Sequence, residues 1–305
     1  MKLLKRIGVA LLVLVSALVL IILYMMGSED VPETTAYEID LPELRALAAS
    51  LPGEAPSELR VEIIASGQLP RGLIMAWQGF EPVAMPRPVF QLRYDDGAFL
   101  LIDAAYDRTL HEIGFEDQPF DDDAWERLVL ALETASRTVI THEHTDHIGG
   151  VARHPRPERL AKNLLLNPEQ ISSEGAIFAD LPKDLVEVLE PIRYTNAIAV
   201  APGVVLKRAA GHTPGSQMVF VTMRDGRELL FLGDVVWNLD AITQLKYRPR
   251  FITDVFLGED RAAVLDQIRA LRTLYDSGDV ELVVSHDART YAGPGFEEGF
   301  VLVTE

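Results

Sequence analysis

Residues 7–26 are apolar apart from Gly8, Ser16 and Tyr24, and none is charged. Twenty residues of helix span about 30 Å, the thickness of a bilayer's hydrocarbon core, so this run predicts a transmembrane helix. Beyond it the apolar positions fall into shorter, periodic groups. Residues 59–64 and 89–94 alternate as strands do, and Asp95-Asp96-Gly97 marks a hairpin into the continuous apolar run 99–102. Residues 121–135 place Trp125, Leu128, Val129 and Leu132 on one helix face, with Asp121 or Asp122 as the cap. A second helix is predicted over 260–277, turning Val264, Leu265, Ile268, Leu271 and Leu274 inward and stopping at Gly278. Short helices are expected within 41–51, near 168–173 and near 182–189. Strands interleaved with helices imply sheets covered by helices.

Charge orients the first element. Lys2, Lys5 and Arg6 precede it, while Glu29, Asp30 and Glu33 follow. The positive-inside rule then leaves residues 1–6 in the cytoplasm, makes 7–26 a single-pass signal anchor, and puts the rest outside, in the periplasm of a Gram-negative cell. The competing reading is a signal peptide cut near Ala17. Signal cores run only ~7–15 apolar residues, and this one continues past that point. Residues 27–57, interrupted by Pro32, Pro42, Pro52 and Pro56, read as a linker, and 58–305 as one domain. The net charge is −18 although residues 1–26 contribute only positive charge. Such an acidic surface repels phosphate backbones, which excludes long nucleic acids as partners. The absence of cysteine excludes disulfides, thiolate metal clusters and cysteine nucleophiles.

Histidine occupies 7 of 305 positions, yet three fall with an aspartate in His142-Glu143-His144-Thr145-Asp146-His147. The β-branched Val139-Ile140 before this stretch suits a buried strand, and Gly149-Gly150 after it suits a turn into a helix. Neutral imidazole and carboxylate are the ligands that zinc and its first-row neighbours prefer, so the stretch is a candidate metal site. A polar surface loop or a helix cap leaves the spacing unexplained.

The stretch resembles the signature of the metallo-β-lactamase fold superfamily, and further motifs follow in that family's order. Gly211-His212-Thr213-Pro214-Gly215 resembles its G-H-T-P-G turn, and Leu230-Phe231-Leu232-Gly233-Asp234 the strand ending in a metal-bridging aspartate. Val283-Val284-Ser285-His286 resembles the strand that delivers the last histidine. Phe99-Leu100-Leu101-Ile102-Asp103 resembles the strand whose terminal aspartate underlies the site, with Ala104-Ala105 replacing the usual Thr-Gly. The resemblance spans roughly residues 58–305 and implies an α/β (α+β) fold, a four-layer αβ/βα sandwich, here preceded by one transmembrane helix. It also implies two divalent cations, zinc first, with iron or manganese suiting the same ligands. His142, His144 and His212 would hold one; Asp146, His147 and His286 the other; and Asp234 would bridge them. Asp103 would brace the ligand histidines from below, unless it is a plain strand-end turn residue.

The implied activity is hydrolysis, a metal-bound hydroxide attacking an ester, lactone or thioester carbonyl, with Asp146 and Asp234 as catalytic residues. An aspartate at position 234 points to the lactonase and glyoxalase II-like branches and away from true β-lactamases. The alternative is a phosphodiesterase of small or lipid substrates; a non-catalytic binding protein fits the complete ligand set poorly. Met75, Trp77 and Phe80, between the first two predicted strands, are expected either to form an apolar lid over an acylated small-molecule substrate or to pack on the sheet. The basic run Lys246-Tyr247-Arg248-Pro249-Arg250 reads as a solvated loop, or else as an anion or headgroup contact. His111 on a short helix and His154 in a solvated loop are read as non-ligands. Nothing in the sequence specifies an oligomeric state.

Overall fold

The computed structural model describes residues 2–173 and 177–302; Met1 of the expected tail and residues 303–305 of the expected domain lie outside the described residues. The chain opens with α1 (Lys2–Met26) and α2 (Leu41–Ala48), the latter capped by the Asp40 carboxylate. Next come β1 (Glu58–Pro70), the single turn α3 (Arg71–Ile74), β2 (Pro82–Arg93) and β3 (Phe99–Ile102). Then follow α4 (Arg108–Phe115), α5 (Asp122–Thr134), β4 (Arg137–Val139), α6 (Thr145–Ala152) and β5 (Leu164–Leu165). Two short helices, α7 (Pro168–Ser172) and α8 (Lys183–Val186), lead to β6 (Ala197–Ala201), β7 (Val204–Arg208), β8 (Gln217–Thr222) and β9 (Glu228–Phe231). The chain then forms α9 (Leu239–Thr243), a π-helix over Phe251–Leu257, α10 (Arg261–Ser277), β10 (Glu281–Val283) and β11 (Glu297–Glu298).

The strands build two sheets, ordered β11-β1-β2-β3-β4-β5 and β10-β9-β8-β7-β6. Successive side chains of a strand point to opposite faces, and the cores follow that rule. In β3, Leu100 and Ile102 join a core between the sheets while Phe99 and Leu101 pack outward beneath α5. In β8, Val219 and Val221 face the same inter-sheet core while Met218 and Phe220 pack outward with Val264, Ile268 and Leu271 of α10. Helix, sheet, sheet, helix is the resulting layering. The continuous apolar runs of β3, β8 and β9 follow from burial on both faces.

The predicted helices form: Asp121 caps α5 and Gly278 ends α10 in the left-handed conformation, as expected, and Asp260 proves to be the cap of α10. Strands β1 and β2 extend well beyond the stretches that alternate. Their register shifts between Ile63 and Ala65, which flips the burial pattern midway and hides the continuation from a period-two reading.

The segment expected as a linker packs on the domain. Val31, Leu41, Leu44 and Ala48 are buried in the α10-side core, Thr35 Oγ1 donates to Asp266 O, and Tyr37 OH donates to Arg208 O. Its prolines interrupt helix without preventing burial of the intervening leucines. His154 also departs from expectation: it is buried, accepting from Arg156 N and reaching Val129 O, so its loop is not solvated there.

Candidate metal centre

The candidate ligands sit at one edge because parallel neighbours end there together. β3 and β4 run parallel, as do β9 and β10, and Asp103, His142, Asp234 and His286 follow their carboxyl ends. His212 lies in the turn after β7, and Asp146 and His147 occupy the first turn of α6. Close packing of backbone holds these turns: a Cβ on Gly150 would lie 2.0 Å from Ala104 O, and one on Gly215 would lie 2.4 Å from Glu143 Oε2. Glu143, inside the histidine motif, accepts from Thr213 Oγ1 (2.7 Å) and Gly215 N (3.0 Å), tying the two ligand loops together.

All seven expected metal ligands converge, in two groups. His142, His144, His212 and Asp234 form one, Asp146, His147 and His286 the other; within each, the ligand atoms lie within 4.8 Å of one another. Only Asp146 has appreciable exposure.

The outward nitrogens fix the tautomers. His147 Nδ1 lies 2.8 Å from Asp103 Oδ2, His286 Nδ1 lies 2.8 Å from Pro86 O, and His212 Nδ1 contacts Glu259 Oε1. Each partner is an acceptor, so each Nδ1 carries the proton and each Nε2 turns a lone pair inward. Those lone pairs face other electron-rich atoms. His212 Nε2 is 2.9 Å from His144 Nδ1, and Asp234 Oδ1 is 3.2 Å from both His147 Nε2 and His286 Nε2. Asp234 Oδ1 and His144 Nε2 are buried without a hydrogen-bond partner among the described residues. Cations resolve this crowding of lone pairs, and the donor set of neutral nitrogen and carboxylate oxygen is one that zinc accepts.

Electrostatics agrees. Burial, then the neighbouring histidines, holds His142 and His212 well below the ordinary imidazole value, and burial brings His144 down to about 4, so all three are neutral. His147 is the exception: burial opposes its charge too, but Asp234, Asp103 and Asp146 outweigh it and raise that group, so without a cation its inward Nε2 favours a proton that a bound cation would displace. For Asp146, burial is outweighed by Arg87, His147 and His286, which hold the carboxyl well below its usual range.

Asp103 contacts both the ligand loop and a candidate ligand. Besides His147, its Oδ1 accepts from Thr141 N at 2.7 Å, and it sits at a positive φ of 66° that the two contacts hold in place.

Several residues around the centre were not assigned to it from the sequence. Arg87 Nε lies 2.7 Å from Asp146 Oδ2, with its guanidinium over the Tyr106 and Phe115 rings. Trp237 Nε1 donates to Asp234 Oδ2 at 2.7 Å. Glu259 accepts from Arg248 (2.6 Å) and Tyr247 OH as well as His212, so Tyr247 and Arg248 of the basic run are buried and not a solvated loop. A charged residue inside the apolar strand β2 was a usable clue to Arg87. Glu259, beside a helix cap, offered none.

A cavity of about 690 Å³ opens onto Asp146, Asp234, His144 and His286. Its wall is mostly apolar, drawn from Leu110, Ile113, Phe115, Phe178, Trp237 and Phe256 among others, with Arg87, Arg153 and Asp180 also lining it. The expected lid is not part of it. Met75 is buried in the core, and Trp77 and Phe80 are exposed away from the lining, to which that stretch contributes only Met85. Strands β1 and β2 extend into the stretch between the two alternating runs, which leaves residues 71–81 as their connection.

No family model and no curated protein matches this chain. Solved structures do. A quorum-quenching N-acyl homoserine lactone lactonase aligns with a TM-score of 0.60 at 15% identity, covering 77% of this chain and 94% of that one. The dizinc quorum-quenching lactonase AidC, in complex with a product N-hexanoyl-L-homoserine, aligns at 0.51 and 13% identity, covering 79% and 90%. The hydrolase AbOPH of the beta lactamase superfamily aligns at 0.50 and 12% identity, covering 78% and 91%. Likeness at this level establishes the fold, which is that of the metallo-β-lactamases.

Proposed function

We propose that this protein is a metal-dependent hydrolase of lactones or related esters and thioesters, held at a membrane by α1. The observation that carries the reading is a mostly apolar cavity ending on a cluster of seven inward-facing ligands. The lactonases that share the fold fit the same reading. His142, His144 and His212 would hold one divalent cation, Asp146, His147 and His286 a second, and Asp234 both, with zinc first among the metals this donor set suits. When bound, the cations supply Lewis acidity toward a carbonyl and an activated water.

The chain's own residues do the rest. Asp103, Pro86 O and Glu259 hold the outward protons of His147, His286 and His212, so the inward lone pairs need no reorganisation. Arg87 engages Asp146 Oδ2 and keeps that carboxylate ionised at the cavity floor. There it is placed to take a proton from attacking water and return it to the leaving alkoxide. Phe115, Phe178 and Trp237 exclude bulk water and provide contact for an acyl group. Among the described residues, α1 is the one helix long and apolar enough to cross a bilayer, and no residue of its span Leu4–Met26 is buried by the rest of the chain.

The test is the full chain in phosphatidylcholine vesicles, assayed for metal content and against a lactone, a thioester, a phosphodiester and a β-lactam. Two metals per chain and chelator-sensitive lactone or thioester turnover support the reading. Faster phosphodiester turnover moves the protein to that class, and metal-loaded chain without turnover overturns the hydrolase.

A further inference from the structure

We infer that Phe251–Leu257 is the bilayer-facing lip of the cavity, and that an amphiphilic substrate enters the site sideways from the lipid. The inference deepens the anchored-hydrolase reading and rests on it.

Three observations converge on this segment. Phe251, Val255 and Phe256 are 37%, 60% and 56% exposed, and the two phenylalanine rings meet edge to face at 5.3 Å. Such a cluster on an acidic surface has no structural use in water. The segment also begins where the apolar helix stops. Arg250 N donates to Gly27 O at 2.9 Å, the Arg250 guanidinium lies 4.4 Å from the Tyr24 ring centre, and Arg250 and Arg261 both pair with Glu29. An aromatic pair fixed beside the end of a membrane span lies at the depth where aromatic residues settle in the interface. Finally, Phe256 and Leu257 line the cavity, and Ile113, 79% exposed, lines it too. The rim is therefore apolar at these two points, while Arg153 and Asp180 line the cavity elsewhere.

Charge selects the occupant. The segment's single acid, Asp254, is paired with Arg261, so it turns no uncompensated negative charge toward lipid. The chain's net charge of −18 disfavours an anionic partner, which leaves apolar contact with a bilayer as the interaction this face fits. A molecule with a polar head and an acyl tail reaches Asp146 through this rim without crossing water. Each methylene that stays in an apolar environment spares about 0.8 kcal/mol.

The absence of cysteine makes the test direct. Val255→Cys, Leu23→Cys in α1 and Val188→Cys beside α8 are each labelled with an environment-sensitive fluorophore, and the full chain is placed in phosphatidylcholine vesicles carrying nitroxide-labelled lipid. Quenching at position 255 comparable to that at 23, with none at 188, is expected. A probe at 255 that behaves like the one at 188, while 23 is quenched, overturns the lip. If 23 is also unquenched, the anchor fails and takes the lip with it. A second arm uses Phe251→Ser/Val255→Ser, which leaves the cavity lining intact. Turnover of a long-chain lactone in vesicles should fall about tenfold, with a short-chain soluble lactone within about twofold. Equal loss on both substrates, or loss on neither, refutes the lip, whatever the hydrolase activity proves to be.

Discussion

Arg87 Nε lies 2.7 Å from Asp146 Oδ2, a buried cation paired with a candidate metal ligand. The guanidinium balances the carboxylate when no cation does so. Removing one member of a buried pair strands the other charge, at a cost of ~3–5 kcal/mol. Arg87→Met should therefore lower the melting temperature of chelator-treated protein sharply and that of the metal-loaded protein much less, since the cation then neutralises Asp146. Equal losses in the two melts would show that Arg87 acts through packing on Tyr106 and Phe115 instead.

Glu259 holds the proton of His212 Nδ1 and is itself held by Arg248 and Tyr247. Glu259→Gln keeps the size and removes the charge. Metal affinity, measured by competition with a chelator, should drop ~10–100-fold, as it does when groups behind a ligand histidine are lost. Tyr247→Phe removes one hydrogen bond, worth about 1 kcal/mol, and should cost less than tenfold.

Asp234→Ala should lose metal and activity together, because its carboxylate lies among ligands of both groups. Asp103→Asn should weaken metal binding by ~10–100-fold without abolishing it. Full activity in Asp234→Ala would remove the shared-ligand assignment.

Acyl preference should follow the cavity wall. Among lactones with one headgroup, kcat/KM should rise by up to about fourfold per methylene until the cavity is filled, from about 0.8 kcal/mol each. Phe115→Ala should flatten that series. Trp77→Ala, outside the lining, should leave it unchanged; a flattened series there would return the loop to the substrate path.

The parts of this protein that sequence alone determined are those whose physics is local. Helix caps such as Asp121 and Asp260 act within one turn, and a buried strand such as Phe99–Ile102 shows its apolar run directly. The ligand motif is local as well: His142, His144, Asp146 and His147 fall within six positions, so their residue types could be read as chemistry before any fold was known. Tertiary structure decided what depends on distant chain segments meeting. Arg87 and Asp146, Glu259 and His212, and cavity walls from α4, Phe178 and the π-helix are 47 or more positions apart or come from unrelated elements. A charged residue has the same local appearance whether it is solvated or buried. Tyr247 and Arg248 read as a surface run because only packing against Glu259 makes their burial favourable. Likewise, prolines at 32, 42 and 52 signal interruption, but whether Leu41 and Leu44 face water depends on the sheet and α10 that lie beneath them. Periodicity encodes an element and its buried face; the identity of the surface it meets is set by three-dimensional proximity, which no local pattern carries.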